Sequence, residues 1–255
     1  TPYRYILYNV YLNIQLFSYC LDKKNYYDII YTGDFMRKID TILFDLDGTL
    51  INTNDIIIES FKEVFRVHFP KQQPSRERIL TFIGPTLQQT FGQYTNDQNL
   101  INEMIKTYRS FYIEYEVGNH ELYPDVLEVV TKLKLQGYNL GILTSKFTEA
   151  AWPSYTHYGL DKIFDSFTGL DDVIHPKPDK NAVETALSNF PNHKQVIMIG
   201  DNQGDIMAGI NAGIYGAGVA WSIKGEAHLQ EVNPDFMLKD MNDIFRVIDI
   251  IEGGL

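Results

Sequence analysis

The sequence predicts an α/β fold, a doubly wound parallel sheet that carries a small all-helical module. Two observations lead to this prediction. From Met36 onward, short apolar runs alternate with stretches of helical periodicity, which is typical of a parallel sheet with helices on its faces. Residues 52–118 interrupt this alternation, because they contain no strand-like run. We therefore expect the helical module to be inserted after the first strand.

Four apolar runs are predicted as strands, at residues 41–45, 138–144, 195–200 and 216–221. Three helices are expected between them, at residues 124–136, 180–189 and 204–211. The first two helices open at or near a Pro-Asp pair and the third is followed by Gly213, which are start and stop signals of helices. Residues 36–51 and 119–255 together form the predicted core domain.

Residues 52–118 are predicted to form a helical cap domain. Apolar residues recur at helical spacing in two stretches, at residues 57–68 and 101–115. The segment FIGPT, residues 82–86, lies between these stretches, and its Gly-Pro pair indicates a turn. The predicted cap is thus at least two helices joined through a tight loop.

Composition narrows the classes of function. The chain of 255 residues has a formal net charge of -11, which argues against nucleic acid as the main partner, because phosphate-backbone binding requires a basic face. An anionic small substrate would need a metal or local cations. The single cysteine, Cys20, allows no disulfide framework within one chain, so we expect a reducing, cytoplasmic setting.

Residues 1–35 differ from the rest of the chain, since they are rich in tyrosine and open on Thr1. The uncharged stretch 5–21 is short for a membrane span, is interrupted by polar residues and lacks a signal-peptide cleavage pattern, so no membrane association is expected. Met36 is followed directly by a predicted strand. We therefore interpret residues 1–35 as a non-native or dispensable extension.

Four groups of polar residues fall after predicted strands or in a turn between them, where ligands bind in open α/β sheets. The groups are Asp45 with Asp47, Thr144 with Ser145 and Lys146, Lys177 between two prolines, and Asp201 with Asp205. Each group by itself also fits an ordinary role, as a solvated turn, a helix-capping hydroxyl or a surface lysine. An EF-hand is disfavoured, because Leu50 and Ile56 occupy the places of its Gly and Glu.

Together, these residues indicate phosphoryl transfer. Carboxylates as close as those of Asp45 and Asp47 repel each other unless a cation lies between them, and with Asp201 they form a group suited to Mg²⁺. Thr144 and Lys177 supply a hydroxyl donor and a positive charge for phosphoryl oxygens. Phosphoryl transfer depends mainly on positioning and charge stabilisation, and a carboxylate can act as its nucleophile, which gives an aspartyl-phosphate.

The order of these groups resembles the four motifs of the haloacid dehalogenase superfamily. The matching segments are DLDGTL at 45–50, ILTS at 142–145, KP at 177–178 and GDNQGD at 200–205. The resemblance extends over residues 36–255 and includes the insertion of a helical cap after the first motif. It implies a Rossmann-like core and a magnesium-dependent phosphatase.

The resemblance also implies a role for each matching residue. Asp45 would attack phosphorus, and Asp47 would protonate the leaving oxygen and then activate water. Thr144 and Lys177 would hold the phosphoryl oxygens. The implied magnesium ligands are Asp45, the backbone carbonyl of Asp47 and Asp201, with Asp205 bonding through water or orienting the ligands.

Further substrate contacts are predicted next to the motifs and in the cap loop, at Gly48, Thr49, Ser145, Lys146, Gly84, Pro85 and Thr86. Lys146 is expected to contact the leaving phosphate, although a surface charge at a helix start remains open. The loop 82–86 is expected to face the active site, with Gly84 allowing close approach, and a plain turn between helices is the alternative.

Two segments depart from the superfamily pattern and bear on the substrate. Residues 177–180 read K-P-D-K in place of the usual K-P-x-P, and residues 51–54 read I-N-T-N where phosphoglycolate phosphatases commonly have V-D-S or V-D-T. With FIGPTL, IMIGDNQGDI, GVAWSIKGEAHL and PDFML, the chain resembles a bacterial pyrophosphatase branch associated with HPr kinase/phosphorylase. The resemblance implies hydrolysis of pyrophosphate and a functional link to HPr kinase/phosphorylase, with phosphoglycolate or another small phosphomonoester as the alternative substrate.

Four other classes of protein are alternatives, and the last three fit the sequence less well. A phosphomutase of the same superfamily would use the same motifs. A phospho-accepting receiver domain also clusters Asp, Thr or Ser and Lys on a doubly wound sheet, but it has no cap. A dinucleotide-binding oxidoreductase would need glycine where Trp221 stands in the pattern that begins at Gly216. A non-catalytic binding module would be expected to lose Asp45 or Asp47.

Overall fold

The structure is a computed structural model that describes residues 38–116 and 118–253. The predicted extension at residues 1–35, its uncharged stretch and the proposed start at Met36 lie outside the described residues. Ile39–Leu255 form one compact unit.

The described chain alternates strands and helices except in one long helical interval. The strands are β1 Ile39–Phe44, β2 Ile51–Asn52, β3 Glu121–Leu122, β4 Asn139–Leu143, β5 Ser166–Thr168, β6 Gln195–Gly200, β7 Tyr215–Val219 and β8 Phe236–Leu238. The helices are α1 Asn54–His68, α2 Arg76–Leu80, α3 Leu87–Phe91, α4 Gln98–Glu116, α5 Val126–Leu135, α6 Thr148–His157, α7 Lys180–Leu187, α8 Gln203–Asn211, α9 Glu226–Gln230 and α10 Asp243–Glu252.

Six parallel strands form the central sheet, in the order β5-β4-β1-β6-β7-β8. This is the arrangement of a doubly wound Rossmann-like sheet, in which the strand order reverses next to the first strand. The reversal lies between β1 and β6. The predicted α/β class and doubly wound parallel sheet are confirmed, and the reversal marks the edge at which ligands bind in such sheets.

The first strand, IDTILF, is buried along its whole length, as expected for a central parallel strand covered on both faces. Successive side chains point to opposite faces. Ile42 and Phe44 therefore join a hydrophobic cluster with α5 and α10, whereas Leu43 joins a second cluster with α7 and α8. Helices consequently cover both faces of the sheet.

Helices α1 to α4 enclose a hydrophobic cluster of their own. Phe61 lies at its centre, with ring centroids 4.9 Å from Tyr108 and 5.2 Å from Phe82. Each fully buried aromatic side chain of this kind contributes about 1.5–3 kcal/mol. β2 precedes the helical segment, β3 follows it, and the two strands pair with each other in antiparallel orientation. The chain therefore leaves the core and returns to it at one place.

Some observed elements differ from the predicted ones at their ends, and others were not predicted. β1 begins at Ile39 and stops at Phe44, so Asp45 follows the strand, and β4 likewise stops before Thr144. The strands β5 and β8 were not predicted, because three residues at a sheet edge show no measurable periodicity. Helix α6 was also missed, since it contains Pro153 and segregates its apolar residues poorly.

Helix α10 was not predicted either, although its sequence carries the signal. Ile244, Val247, Ile248 and Ile251 recur at helical spacing and are all buried. In the part of the chain that the structure describes, no helix combines the length and apolar character needed to cross a bilayer.

Candidate active site

The carboxylate of Asp45 is buried where β1 ends, beside β6. Its backbone N–H donates a hydrogen bond of 2.9 Å to the carbonyl of Ile199, which continues the pairing of the two strands by one residue. Lys177 Nζ donates to Asp45 Oδ1 at 2.7 Å and also lies 2.5 Å from Asp205 Oδ1. A buried lysine thus bridges two of the predicted site carboxylates.

The turn that carries Lys177 is fixed at several points. Lys177 Nζ also donates to the carbonyl of Leu143 at the end of β4, and Asn211 Nδ2 donates to the carbonyl of Pro178. Asp179, which occupies the x position of the motif, accepts a hydrogen bond from the backbone N–H of Asn181 and caps α7. These contacts hold the turn although the second proline of the usual motif is absent.

Asp201 brings a third buried carboxylate to the same place from the end of β6. One carboxylate oxygen from each of Asp45, Asp201 and Asp205 lies within 4.8 Å of the others. Ser222 Oγ donates to the backbone carbonyl of Asp201, and Asn202 Nδ2 donates to its Oδ1. The three oxygens converge beside Lys177, and the charge of Lys224 also acts on Asp201.

The electrostatics of this cluster favour a bound cation. Burial, opposed by Lys177 and reinforced by Asp205, raises the pKa of Asp45 to about 7. Burial together with the neighbouring carboxylates of Asp45 and Asp205 raises the pKa of Asp201 well above its usual range. A divalent cation beside these groups would favour their charged forms. Three convergent carboxylate oxygens are also the donor type that a hard divalent ion prefers, so the residues fit such an ion.

Gly48 packs directly against Asp201. Its φ is +84°, and a Cβ at this position would lie 2.4 Å from Asp201 Oδ2. Only glycine combines this backbone conformation with such a close approach. The glycine of the DGT motif therefore leaves space for one of the carboxylates.

We expect Gly48→Ala to displace Asp201 and to lower phosphatase activity about 100-fold, the scale of a 1 Å misplacement at an active site. Gly159→Ala is the matched control, because Gly159 has a φ of +69° and no atom within 4 Å of the added methyl. Both variants carry backbone strain of about 1–2 kcal/mol, measurable by urea unfolding. Equal activity in the two variants would show that the approach to Asp201 is unimportant.

Asp47 lies at the boundary between the core and the helical segment. Tyr112 OH, on α4, donates to Asp47 Oδ1 at 3.4 Å, and Lys146 Nζ lies 3.6 Å from Asp47 Oδ2. Lys146 Nζ also donates to Tyr112 OH at 2.8 Å and lies 3.8 Å from Glu116 Oε1. Lys146 is therefore not a solvated surface charge, because it is enclosed between the predicted acid/base and α4.

Two buried threonines near Asp45 differ in how their hydroxyls are directed: Thr49, four residues after Asp45, and Thr144, directly after β4. Thr144 Oγ1 accepts a hydrogen bond from the backbone N–H of Lys146, which leaves its own proton available to another acceptor. Thr49 Oγ1 lies 3.5 Å from Asp45 Oδ2 and is directed towards it. Thr144 is thus free to donate to a phosphoryl oxygen, whereas Thr49 faces the carboxylate.

A cavity of about 580 Å³ lies between the core and the helical segment. We call it the chamber. Predicted site residues on its wall are Asp45, Asp47, Gly84, Pro85, Thr86, Thr144, Ser145, Lys146, Lys177 and Asp205. Gly48, Thr49 and Asp201 are not among the residues on this wall. The wall is otherwise largely apolar, and much of it comes from α1 and α4.

The loop 82–86 reaches the core, as expected for a loop that faces the site. Phe82 and Ile83 are buried and anchor the loop in the helical segment. Lys224 Nζ donates to the carbonyl of Ile83, and a Cβ on Gly84, whose φ is +108°, would lie 2.9 Å from Asn202 Oδ1.

Thr86 has a structural role beside its predicted contact with substrate. Its hydroxyl accepts a hydrogen bond from the backbone N–H of Gln89 and caps α3 in a reciprocal capping box. Residues 51–54, which depart from the phosphoglycolate phosphatase pattern, do not line the chamber. Asn54 Nδ2 instead donates to Tyr123 OH, so this segment stabilises the entry into α1.

Four residues where the core meets the helical segment were not predicted as site residues from the sequence. Arg109 and Tyr112 lie on the chamber wall, Glu116 lies 3.8 Å from Lys146, and Lys224 contacts the loop 82–86. Tyr112 was assigned only to an apolar helix face. Glu116 could have been noticed in the sequence, because its carboxylate lies one helical turn after Tyr112 on the same apolar face. The structure shows that it is buried. Nothing local to Lys224 indicates that it contacts a loop more than a hundred residues earlier.

The parallel sheet, the carboxylate cluster at its reversal point and the bridging lysine define a hydrolase of the phosphatase class. The chain belongs to the haloacid dehalogenase-like hydrolase family, whose model matches residues 42–219. The resemblance noted from the four motifs is therefore confirmed.

Curated relatives match this chain in sequence over almost their whole length. The chain is 41% identical over 212 residues to pyrophosphatase PpaX of Bacillus cereus and, equally, of Bacillus anthracis, which covers 83% of this chain and 97% of each relative.

Solved structures agree with the family assignment. A predicted phosphoglycolate phosphatase from Haemophilus somnus is 26% identical with a TM-score of 0.72, over 83% of this chain and 99% of that one. A haloacid dehalogenase-like hydrolase from Streptococcus pneumoniae is 25% identical with the same TM-score of 0.72, over 82% of this chain and 98% of that one.

Proposed function

We propose that this phosphatase is a magnesium-dependent inorganic pyrophosphatase that works through an aspartyl-phosphate on Asp45. The observation that carries the proposed chemistry is the buried Asp45 carboxylate, held 2.7 Å from Lys177 where Asp201 and Asp205 converge. The proposed substrate is supported by the 41% identity to pyrophosphatase PpaX.

In the first proposed step, an Asp45 carboxylate oxygen attacks one phosphorus of pyrophosphate. The bond from that phosphorus to the bridging oxygen breaks, and its electrons stay with the departing phosphate, which takes a proton from Asp47. Lys177 and the Thr144 hydroxyl stabilise the oxygens of the transferred phosphoryl group. Lys177 also holds the attacking carboxylate in place through the 2.7 Å contact.

In the second step, Asp47 removes a proton from water and the resulting hydroxide attacks the phosphorus of the aspartyl-phosphate. The bond from phosphorus to the Asp45 oxygen breaks, which releases the second phosphate and restores the carboxylate. Tyr112 and Lys146 fix the orientation of Asp47, whose side chain is only 15% exposed. The chamber walls limit the access of other water molecules.

Asp45, the backbone carbonyl of Asp47 and Asp201 would hold the magnesium ion, with Asp205 orienting the group. When bound, the ion supplies positive charge that neutralises carboxylates and phosphoryl oxygens. Gly48 contributes by leaving space for the Asp201 carboxylate, which a Cβ at position 48 would meet.

A phosphoglycolate phosphatase is the second candidate. It is favoured by the 26% identity to the solved Haemophilus somnus protein. The same core residues would act, and the leaving group would be glycolate.

Three further statements remain predictions. They are a cytoplasmic location, a functional link to HPr kinase/phosphorylase, and the division of the chain into a core at residues 36–51 and 119–255, a cap at 52–118 and a dispensable extension at 1–35.

A phosphate-release panel separates the two candidates. With Mg²⁺ present, we expect kcat/KM for pyrophosphate to exceed that for phosphoglycolate and for sugar phosphates, and we expect EDTA to abolish all of these activities. A preference for phosphoglycolate would contradict the substrate and leave the chemistry intact. Full activity after removal of divalent ions would contradict the metal requirement.

A further inference from the structure

Arg109, on α4, is a half-buried cation on the wall of the chamber. Its guanidinium carbon lies 4.4 Å from the ring centroid of Phe147, the residue that follows Lys146. Within residues 38–116 and 118–253, Arg109 donates no hydrogen bond and forms no ion pair within 4.0 Å, although its charge acts from further away on the carboxylate of Asp171. Its five N–H donors are therefore available to a ligand.

Each of the two lysines on the chamber wall already pairs with two carboxylates. Lys177 is buried between Asp45 and Asp205, both within 2.7 Å. Lys146 lies within 4 Å of Asp47 and Glu116. In a chain with a net charge of -11, an arginine on a cavity wall that forms no ion pair within 4.0 Å among the described residues is suited to a second anionic group of the substrate.

The helix places Arg109 on the same face as Tyr112, the residue that contacts Asp47. Arg109, Tyr112 and Glu116 are spaced three and four residues apart, so they occupy one face of α4. Tyr112 OH lies 3.4 Å from Asp47 Oδ1, beside the predicted proton donor to the leaving oxygen. Arg109 stands about 4.5 Å further along the helix axis, which is three residues of rise.

We propose that Arg109 is a specificity-determining residue that binds the anionic leaving group in the chamber. The assignment rests on the proposed function, because it takes the leaving group to be phosphate. Guanidinium binds a phosphate through two parallel N–H donors, and the ring of Phe147 holds its plane in place. Lys146 and Tyr112 complete the subsite on the side of Asp47.

Two substrates test the assignment. Pyrophosphate has an anionic leaving group, whereas the leaving group of phenyl phosphate becomes a neutral phenol. Arg109→Gln is expected to lower kcat/KM for pyrophosphate about 10- to 100-fold through a higher KM, the scale of a lost charge-assisted hydrogen bond. Hydrolysis of phenyl phosphate is expected to remain unchanged. Arg109→Lys should recover part of the loss, since it restores the charge without the planar fork.

Lys106→Gln is the matched control, because it removes the same charge from an exposed position on the same helix. Neither substrate should be affected by this change. Equal losses for both substrates in Arg109→Gln would indicate a structural role and overturn the assignment. Unchanged hydrolysis of both substrates would overturn it as well.

Calorimetry with methylenediphosphonate separates this assignment from the proposed function. The unmutated protein with Mg²⁺ is expected to bind the diphosphonate more tightly than orthophosphate, and Arg109→Gln is expected to lose that preference. If the unmutated protein does not hydrolyse pyrophosphate, the proposed function is wrong. A preference for the diphosphonate that is lost in Arg109→Gln would still support the second anion site. A preference that the unmutated protein lacks, or that Arg109→Gln retains, would overturn the assignment of the site.

Discussion

Asp45→Asn is expected to reduce phosphate release from pyrophosphate by about 10⁴-fold or more, the scale seen when a covalent nucleophile is removed. The amide has nearly the same shape as the carboxylate but is not a competent nucleophile. Unfolding stability should not fall, because the substitution removes a charge whose burial raises the pKa of Asp45 to about 7. The measurement is steady-state phosphate release with Mg²⁺, together with thermal unfolding.

Asp40→Asn serves as the control, because Asp40 is a buried aspartate of the same strand. Asp40 Oδ1 accepts hydrogen bonds from Thr41 Oγ1 and from the backbone N–H of Lys194, and an asparagine oxygen can still accept both. The control variant should retain its activity. Folded Asp45→Asn that releases phosphate at the unmutated rate would show that the nucleophile is wrongly assigned.

Lys177→Met is expected to lower activity about 100- to 1000-fold, the loss seen when one preorganised donor to a developing negative charge is removed. It should also destabilise the fold by about 3–5 kcal/mol, because it leaves buried carboxylates without their partner. Lys177 Nζ contacts Asp45, Asp205 and the carbonyl of Leu143, so its removal affects three elements. Kinetics and urea unfolding measure the two effects.

Lys180→Met provides a matched comparison three residues later in the chain. Lys180 is 60% exposed and pairs with Glu184 on the surface of α7, an interaction worth about 0–1 kcal/mol. This variant should behave as the unmutated protein in both measurements. If Lys177→Met were equally benign, the bridging lysine would have neither of the two roles.

The sequence predicted the edge of the sheet at which the carboxylates converge, because the relevant signals are local. An apolar run, ILF, that is followed directly by D-x-D-G-T indicates both burial and charge within a few residues. Asp45 was predicted after one strand and Asp201 with Asp205 after another, and the structure brings their oxygens within 4.8 Å of one another. Parallel strands end at one edge of a sheet, so this convergence follows from the fold class.

Contacts across the chamber could not be predicted from the sequence. Tyr112 was predicted only as part of an apolar helix face, yet its hydroxyl lies 3.4 Å from Asp47 Oδ1. The approach of Gly84 to Asn202 and of Lys224 to Ile83 joins segments more than a hundred residues apart. Periodicity reports which face of a helix is buried, but it does not report which residue of another segment meets that face.

By itself, the sequence determined the doubly wound sheet, the insertion after its first strand and the carboxylates, hydroxyl and lysine at the strand ends. These features depend on residue type and short-range spacing. Only the tertiary structure decided that Gly48 leaves space for Asp201, that Lys146 is enclosed by α4 and that Arg109 lies on the chamber wall. The physical reason is that these contacts depend on how the helical segment packs against the core, which is set by the sum of many distant side-chain contacts.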